Sequence, residues 1–171
     1  CGPTVYDYTH IGNARASLTL DLISRIFRYG GYQVVSARNY TDVDDKIIQA
    51  AQQKNQSPQE LADFYREAYD QEMQALRAEP PTHRPRATET IAEMVEMIRA
   101  LIEKKAAYVA KTEYGDDVYF RVEAFKNYGK LSKRKIDEMM AGARIEPGDA
   151  KEHPADFALW KAAKAHEPSW P

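Results

Sequence analysis

The order of elements within residues 1–39 constrains this chain most: a broken strand, an apolar-periodic stretch, a glycine pair and a β-rich run. Cys1-Gly2-Pro3 reads as a strand end breaking into a turn, because Pro cannot continue a hydrogen-bonded ladder and Gly permits the bend. His10-Ile11-Gly12-Asn13 then opens a segment in which Leu18, Leu22, Ile23, Ile26 and Phe27 recur at helical spacing, and Gly30-Gly31 stops it. Tyr32 to Asn39 is the natural next strand. Strand, loop, helix and strand make a βαβ unit with a right-handed crossover and a parallel sheet. Ligands of such sheets bind beyond the carboxyl ends of the strands, so the loops after Cys1 and after Asn39 share one rim.

A helix N-terminus on that rim offers free N–H groups and a positive dipole end to phosphate. The His10 imidazole there can donate to a phosphoryl oxygen as charge builds, and Gly12 leaves room for a flat ligand against the backbone. Taken alone, the tetrapeptide is equally a capping histidine beside a turn glycine. The second rim loop, Thr41-Asp42-Val43-Asp44-Asp45-Lys46, places three carboxylates in four residues. They could bind Mg²⁺ through oxygen. The commoner role of such acids is N-capping, in a first turn that the helix dipole favours for negative charge.

Further along, Ser57-Pro58-Gln59-Glu60 is a capping box with Pro at the first helical position. The helix it starts carries Leu61, Phe64, Ala68, Met73 and Leu76 as its apolar stripe, and Pro80-Pro81 ends it. Pro85 to Thr88 opens a further helix with Ile91, Met94, Val95, Ile98, Leu101 and Ile102 at 3.6-residue spacing. Both helices are expected to serve packing. Ala107–Ala110 and Asp117–Val122 read as a hairpin about Tyr114-Gly115-Asp116, followed by a short helix from Ser132 to Met140. A hairpin and short helix do not extend a βαβ series, so this region reads as an insertion. Arg121, Lys126, Lys130, Lys133, Arg134 and Lys135 form a solvated basic patch within it. Phe157 and Trp160 are expected to be buried in an amphipathic anchor near the end.

With 171 residues, one domain with a buried core and a small insertion is feasible. Lys+Arg 24 against Asp+Glu 26 gives a net charge of −2, which excludes the global basic field of non-specific nucleic-acid binders. A single cysteine excludes an internal disulfide, and no signal peptide or long apolar run is present. A cytoplasmic location and no membrane partner are the default expectations. Both ends look cut, which suggests a piece of a longer protein. A lone cysteine is ordinarily a small buried hydrophobe. At the end of a first parallel strand, Cys1 sits instead where substrates bind.

Cys-Gly-Pro-Thr-Val-Tyr-Asp-x-x-His-Ile-Gly-Asn-Ala-Arg resembles the ATP-binding signature of class I aminoacyl-tRNA synthetases in its cysteinyl-tRNA synthetase form. Asn13 stands where the usual pattern has a second histidine. Thr41-Asp-Val-Asp-Asp-Lys and the run from Pro154 to Lys161 resemble the same family. The resemblance implies an α/β fold, the first half of a Rossmann-like parallel-sheet nucleotide-binding domain with a small α+β insertion. On that pattern residues 1–111 belong to the first half, 112–153 to a connective-peptide-like insertion and 154–171 to the return segment. It implies ATP with Mg²⁺, L-cysteine and tRNA(Cys) as partners, with cysteinyl adenylate formed and its acyl group passed to tRNA. Thr4, His10, Gly12 and Asn13 then lie at ATP, with His10 and Asn13 catalytic, and Gly2 and Thr41 line the amino-acid pocket. Cys1 is one ligand of a zinc ion that binds the substrate thiolate, the other ligands coming from a second half; soft sulfur displaces water from zinc, whereas the hydroxyl of serine gains little. Lys130-Leu131-Ser132-Lys133-Arg134 imitates the family's mobile catalytic loop but precedes the half that carries it, so Ser132 reads as a helix N-cap. Two rivals stand beside this reading: a cysteine ligase that passes the adenylate to an amino-sugar, and a non-catalytic nucleotide- or partner-binding fragment. The fragment alone is expected to have negligible activity. Nothing in the sequence sets an oligomeric state, and a monomer is the default.

Overall fold

A computed structural model describes residues 2–133, 150–165 and 167–170. Two compact units divide between Ile91 and Ala92.

In the first unit, three extended segments pair in parallel through isolated bridges: Thr4 with Thr41, Ala37 with His83, and Tyr40 with Arg86. The middle segment is held on both edges. Thr41 N–H donates to the Pro3 carbonyl at 3.0 Å, while Tyr40 N–H donates to the Pro85 carbonyl at 2.9 Å. The parallel arrangement is thus made of single bridges, and Tyr32–Asn39 pairs at Ala37 without forming a continuous strand.

Helix α1 (Ile11–Tyr29) connects the first two segments and leaves through Gly30 and Gly31, as the glycine pair predicts. Helices α2 (Asp45–Lys54) and α3 (Pro58–Ala75) connect the second and third. The capping box at α3 is formed: Ser57 Oγ accepts from Glu60 N–H at 3.2 Å, and Glu60 Oε2 accepts from Ser57 N–H at 3.2 Å. A bond from Ser57 O–H at 2.8 Å, and then that from Ser57 N–H, hold the Glu60 carboxyl below its ordinary range. The core of the unit joins Val5, Ala14 and Tyr40 to Ile47 and Ala51 of α2 and to Leu61, Ala62, Tyr65, Tyr69 and Met73 of α3.

Four expectations change here. The buried stripe of α3 is Leu61, Tyr65, Tyr69 and Met73, a strict four-residue repeat, so Phe64 and Leu76 lie exposed. Tyrosine fits the buried side because both phenols have partners, Lys54 for Tyr65 and Ser17 with Arg38 for Tyr69. Helix α3 also ends at Ala75, ahead of Pro80-Pro81, with Arg77 turning the chain at φ 58°. On α1, Leu22, Ile23, Ile26 and Phe27 are exposed and Leu18 is only half-buried. The helix docks instead by its small and polar side: Ala14 and Ser17 are buried, Asp21 accepts from Glu79 N–H at 3.1 Å, and Arg25 donates to the Arg77 carbonyl at 2.9 Å. Finally, Pro85–Thr88 does not begin a helix. Pro85 and Ala87 bond the Tyr40 backbone, and this commits the segment to the parallel pairing until the next helix starts at Ile91.

The second unit contains α4 (Ile91–Glu103), whose first residue closes the first unit, and an antiparallel sheet of β1 (Ala107–Thr112), β2 (Gly115–Phe120) and β3 (Phe157–Trp160) in that order. The hairpin forms at its sequence signal with a tighter turn: Gly115 and Asp116, expected in the turn, pair with Thr112 and Lys111, and β2 ends at Phe120 instead of Val122. The terminal run is an edge strand rather than a buried anchor. Phe157 stays 39% exposed and Trp160 half-buried, with the Phe157 ring stacked on Phe120 at 5.1 Å. Buried Asp156 ties the unit together, accepting from Tyr108 O–H and Val122 N–H at 2.9 Å each. Burial, opposed by a bond from Glu152 N–H and reinforced by Asp156, pushes the Tyr108 phenol up to about 12. Ser132 does not cap a helix: its Oγ donates back to the Gly129 carbonyl at 3.1 Å and Lys133 follows in the left-handed region at φ 55°, while the remainder of the helix expected to Met140, from Arg134 and Lys135 on, lies outside the described residues. Arg121 leaves the basic patch by pairing with Glu152 and lying over the Tyr108 ring at 4.8 Å.

Candidate functional site

The carboxyl end of the first extended segment, the loop to α1 and the start of the second rim loop build the candidate site. Thr4 lies in the bridge with Thr41, which brings together two residues that are 37 positions apart in sequence along a single backbone pairing. Gly2 is half-buried beside them. Its N–H donates to Asn39 Oδ1 at 2.9 Å, and a Cβ built on it would lie 1.5 Å from the Asn39 carbonyl oxygen. Only glycine fits that approach.

His10 is the N-cap of α1. Its backbone is extended and its Nδ1 accepts the Gly12 N–H at 3.0 Å. An Nδ1 that accepts carries no proton, so the ring's proton sits on Nε2, free to donate outward. Gly12 is required by that ring: a Cβ there would meet His10 Cε1 at 2.8 Å and Nδ1 at 3.0 Å. The space that the sequence reading reserved for a flat ligand is occupied first by the histidine's own imidazole. Asn13 N–H donates to the His10 carbonyl at 3.0 Å. Asn13 lines a cavity of about 170 Å³ together with Gly2, Pro3, Ala16, Ser17 and Tyr69. One wall is fixed by the 2.6 Å bond between Ser17 Oγ and the Tyr69 hydroxyl, which also accepts from Arg38 at 2.7 Å. Behind His10, Thr9 N–H donates to Glu72 Oε2 at 3.1 Å, so α3 anchors the approach to α1.

The acids of the second rim loop are engaged structurally. Asp42 is buried and accepts from both Thr88 N–H (3.0 Å) and Thr88 O–H (2.6 Å). Asp44 caps α2 by accepting from Lys46 N–H at 2.9 Å, and Asp45 occupies the first turn. Cys1 lies outside the described residues, as does His166. Among the described residues no group of three or more His, Cys, Asp or Glu is placed to hold a metal ion, so they do not supply a zinc site. His83 is in the bridge with Ala37, and His153 Nδ1 accepts the Ala155 N–H at 3.2 Å. No helix of the described residues is long and apolar enough to cross a membrane.

Sequence reasoning missed Asn39, Tyr69 and Glu72. Tyr69 was legible in the four-residue repeat from Leu61 to Met73. Asn39 had only its position to mark it, next to the rim loop at the end of a β-rich run. Glu72 carried no signal.

Comparison with known proteins adds three findings. Residues 1–171 match the family described as tRNA synthetases class I (C) catalytic domain. Over 170 residues, 99% of the chain, the sequence is 54% identical to a cysteine--tRNA ligase of Geobacter metallireducens and 49% identical to one of Thermococcus kodakarensis. It covers 34% and 35% of those proteins, so the chain spans about a third of the length of the curated relatives it matches. A solved ternary complex, Agrobacterium radiobacter K84 agnB2 LeuRS-tRNA-LeuAMS, is similar in fold at a TM-score of 0.61 and 13% identity, over 85% of this chain and 22% of that one.

Proposed function

The chain belongs to the class I cysteine-type tRNA synthetase catalytic-domain family, and from that premise we propose that the protein carrying it activates L-cysteine with ATP and charges tRNA(Cys) in the cytoplasm. In this reaction a carboxylate oxygen of cysteine attacks the α-phosphorus, the bond to the bridging oxygen breaks, and pyrophosphate leaves with Mg²⁺. The acyl group then passes from the adenylate to a terminal hydroxyl of tRNA. The observation that carries the reading is the His10 ring, held by Gly12 N–H at a helix N-terminus so that Nε2–H points outward. Such a donor, fixed before reaction, stabilises charge that develops on phosphoryl oxygens without reorganising. Asn13 supplies a second, neutral donor from the same turn, and Thr4 and Gly12 complete the ATP side. Gly2 and Thr41 form the amino-acid side, supported by the backbone pairing of Thr41 with Pro3 and Thr4, next to Gly2 in the chain. Residues 1–111 are the first half of the nucleotide-binding fold, 112–153 the insertion and 154–171 the return. Cys1 contributes one zinc ligand, with the remaining donors from outside this chain; when bound, the ion would supply a soft acid for the substrate's sulfur.

Cysteine-dependent ATP–pyrophosphate exchange by the full-length protein tests this, with serine in parallel and tRNA(Cys) or an amino-sugar added afterwards. Exchange with cysteine alone followed by charging of tRNA is the expected result. A folded protein that shows no exchange refutes the enzyme reading, and transfer to the amino-sugar instead would move it to the ligase alternative.

A further inference from the structure

We propose that Asn39 is a positioning residue for the amino-acid pocket, locking the Gly2 main chain and the Thr41 hydroxyl in register through the two ends of one side-chain amide. Both ends are engaged. Oδ1 accepts the Gly2 N–H at 2.9 Å, and Nδ2 donates toward Thr41 Oγ1 at 3.4 Å. The Asn39 main chain reinforces the first contact, since its carbonyl oxygen occupies the place a Gly2 side chain would need. Residue 39 is itself immobilised by its neighbours: Arg38 N–H donates to the His83 carbonyl at 3.0 Å and Tyr40 N–H to the Pro85 carbonyl at 2.9 Å. The amide therefore projects from a backbone fixed on one edge toward the segment paired on the other.

The chemistry selects asparagine. The position needs one acceptor and one donor on a short planar group, and the side-chain amide alone provides both at that length. Aspartate keeps the acceptor for Gly2 and loses the donor for Thr41. Alanine loses both and leaves the half-buried Gly2 N–H without a partner. Thr41 Oγ1 is the acceptor of the second bond, so the threonine proton stays free to be donated to a ligand. Asn39 thus sets the direction of the Thr41 hydroxyl, not only its place. This inference rests on the assignment of Gly2 and Thr41 to the cysteine pocket.

The test uses the full-length protein with N39A, N39D and T41V, read by ATP–pyrophosphate exchange and by hydrogen exchange at the Gly2 amide. N39A is expected to raise KM for cysteine about tenfold, with KM for ATP and the melting temperature nearly unchanged, through the loss of both bonds, of which that to the half-buried Gly2 N–H is the shorter. N39D is expected to keep Gly2 protected and still raise the cysteine KM. In the N39A/T41V pair the effects should fail to add, because both remove the same orientation. Equal changes in the KM of ATP and cysteine, or additive effects, would overturn the proposal. Gly2 protection separates the two claims: if it is the same in N39A as in the wild type, the clamp is refuted whatever the exchange assay gives. Loss of protection in a protein without cysteine-dependent exchange would uphold the clamp and remove the function proposed for it.

Discussion

His10 caps a helix and presents a proton with one ring. The bond from Gly12 N–H to Nδ1 satisfies one of the N–H groups that a helix start leaves unpaired, and the same bond assigns the tautomer. Gly12 makes this possible by having no side chain, since a Cβ would press on Cε1 at 2.8 Å. The imidazole is the movable partner in that clash. Gly12→Ala is therefore expected to leave the fold intact and to swing the ring off its bond. Displacement of a catalytic donor by about an ångström costs on the order of a hundredfold in rate. In the full-length protein the loss should fall on kcat of the exchange reaction, with KM for cysteine close to wild type. Full kcat in G12A would mean that the ring's position does not matter to the chemistry.

Helices α1 and α3 carry similar apolar periodicities and end in opposite environments. Leu61 on α3 is 1% exposed, whereas Leu22 on α1 is 57% exposed. Leu61→Ala should cost about 2–5 kcal/mol, as buried leucine truncations do. Leu22→Ala should stay within about 0.5 kcal/mol in this chain. Urea denaturation of both variants measures the difference, and a large loss in L22A would show that the apolar side of α1 is covered. The contrast also marks what periodicity can and cannot reveal. The existence of α1, the Ser57 capping box and the hairpin from Ala107 to Phe120 followed from local signals, because caps, glycine stops and alternation are decided within a few residues. The buried side of α1 did not, because it depends on Asp21 and Arg25 meeting the 77–79 loop. Nor did the pairing of Pro85 with Tyr40, which a proline-rich segment does not announce. At the candidate site, Gly2, His10, Gly12 and Asn13 were legible in one string and Thr41 in a second, both of which resemble a family signature. Asn39 was not, since its role appears only when residues 2 and 39 meet.

Each compact unit hangs a buried phenol on a carboxylate, and this gives the whole chain one shared weakness at high pH. Tyr40 is 4% exposed and donates to Asp70; burial first, and then this bond, hold its ionisation well above the ordinary range. Tyr108 is 8% exposed, donates to Asp156 at 2.9 Å and is pushed up to about 12. Unfolded tyrosine ionises near 10. A raised folded value means that the native state holds its proton more tightly, so the contribution to stability is complete below about pH 10 and is lost as pH climbs through the folded values. For Tyr108 the window runs from about 10 to about 12, and for Tyr40 it extends higher. The urea midpoint should therefore be flat with pH up to about 9.5 and fall beyond 10. Tyr40→Phe and Tyr108→Phe should each lower the midpoint at neutral pH, by removing a donor from a carboxylate that is half-buried at Asp70 and buried at Asp156, and each should make the alkaline fall shallower. A midpoint that holds steady to pH 11.5, or variants that fall as steeply as the wild type, would mean that neither phenol is held as its hydrogen bond implies.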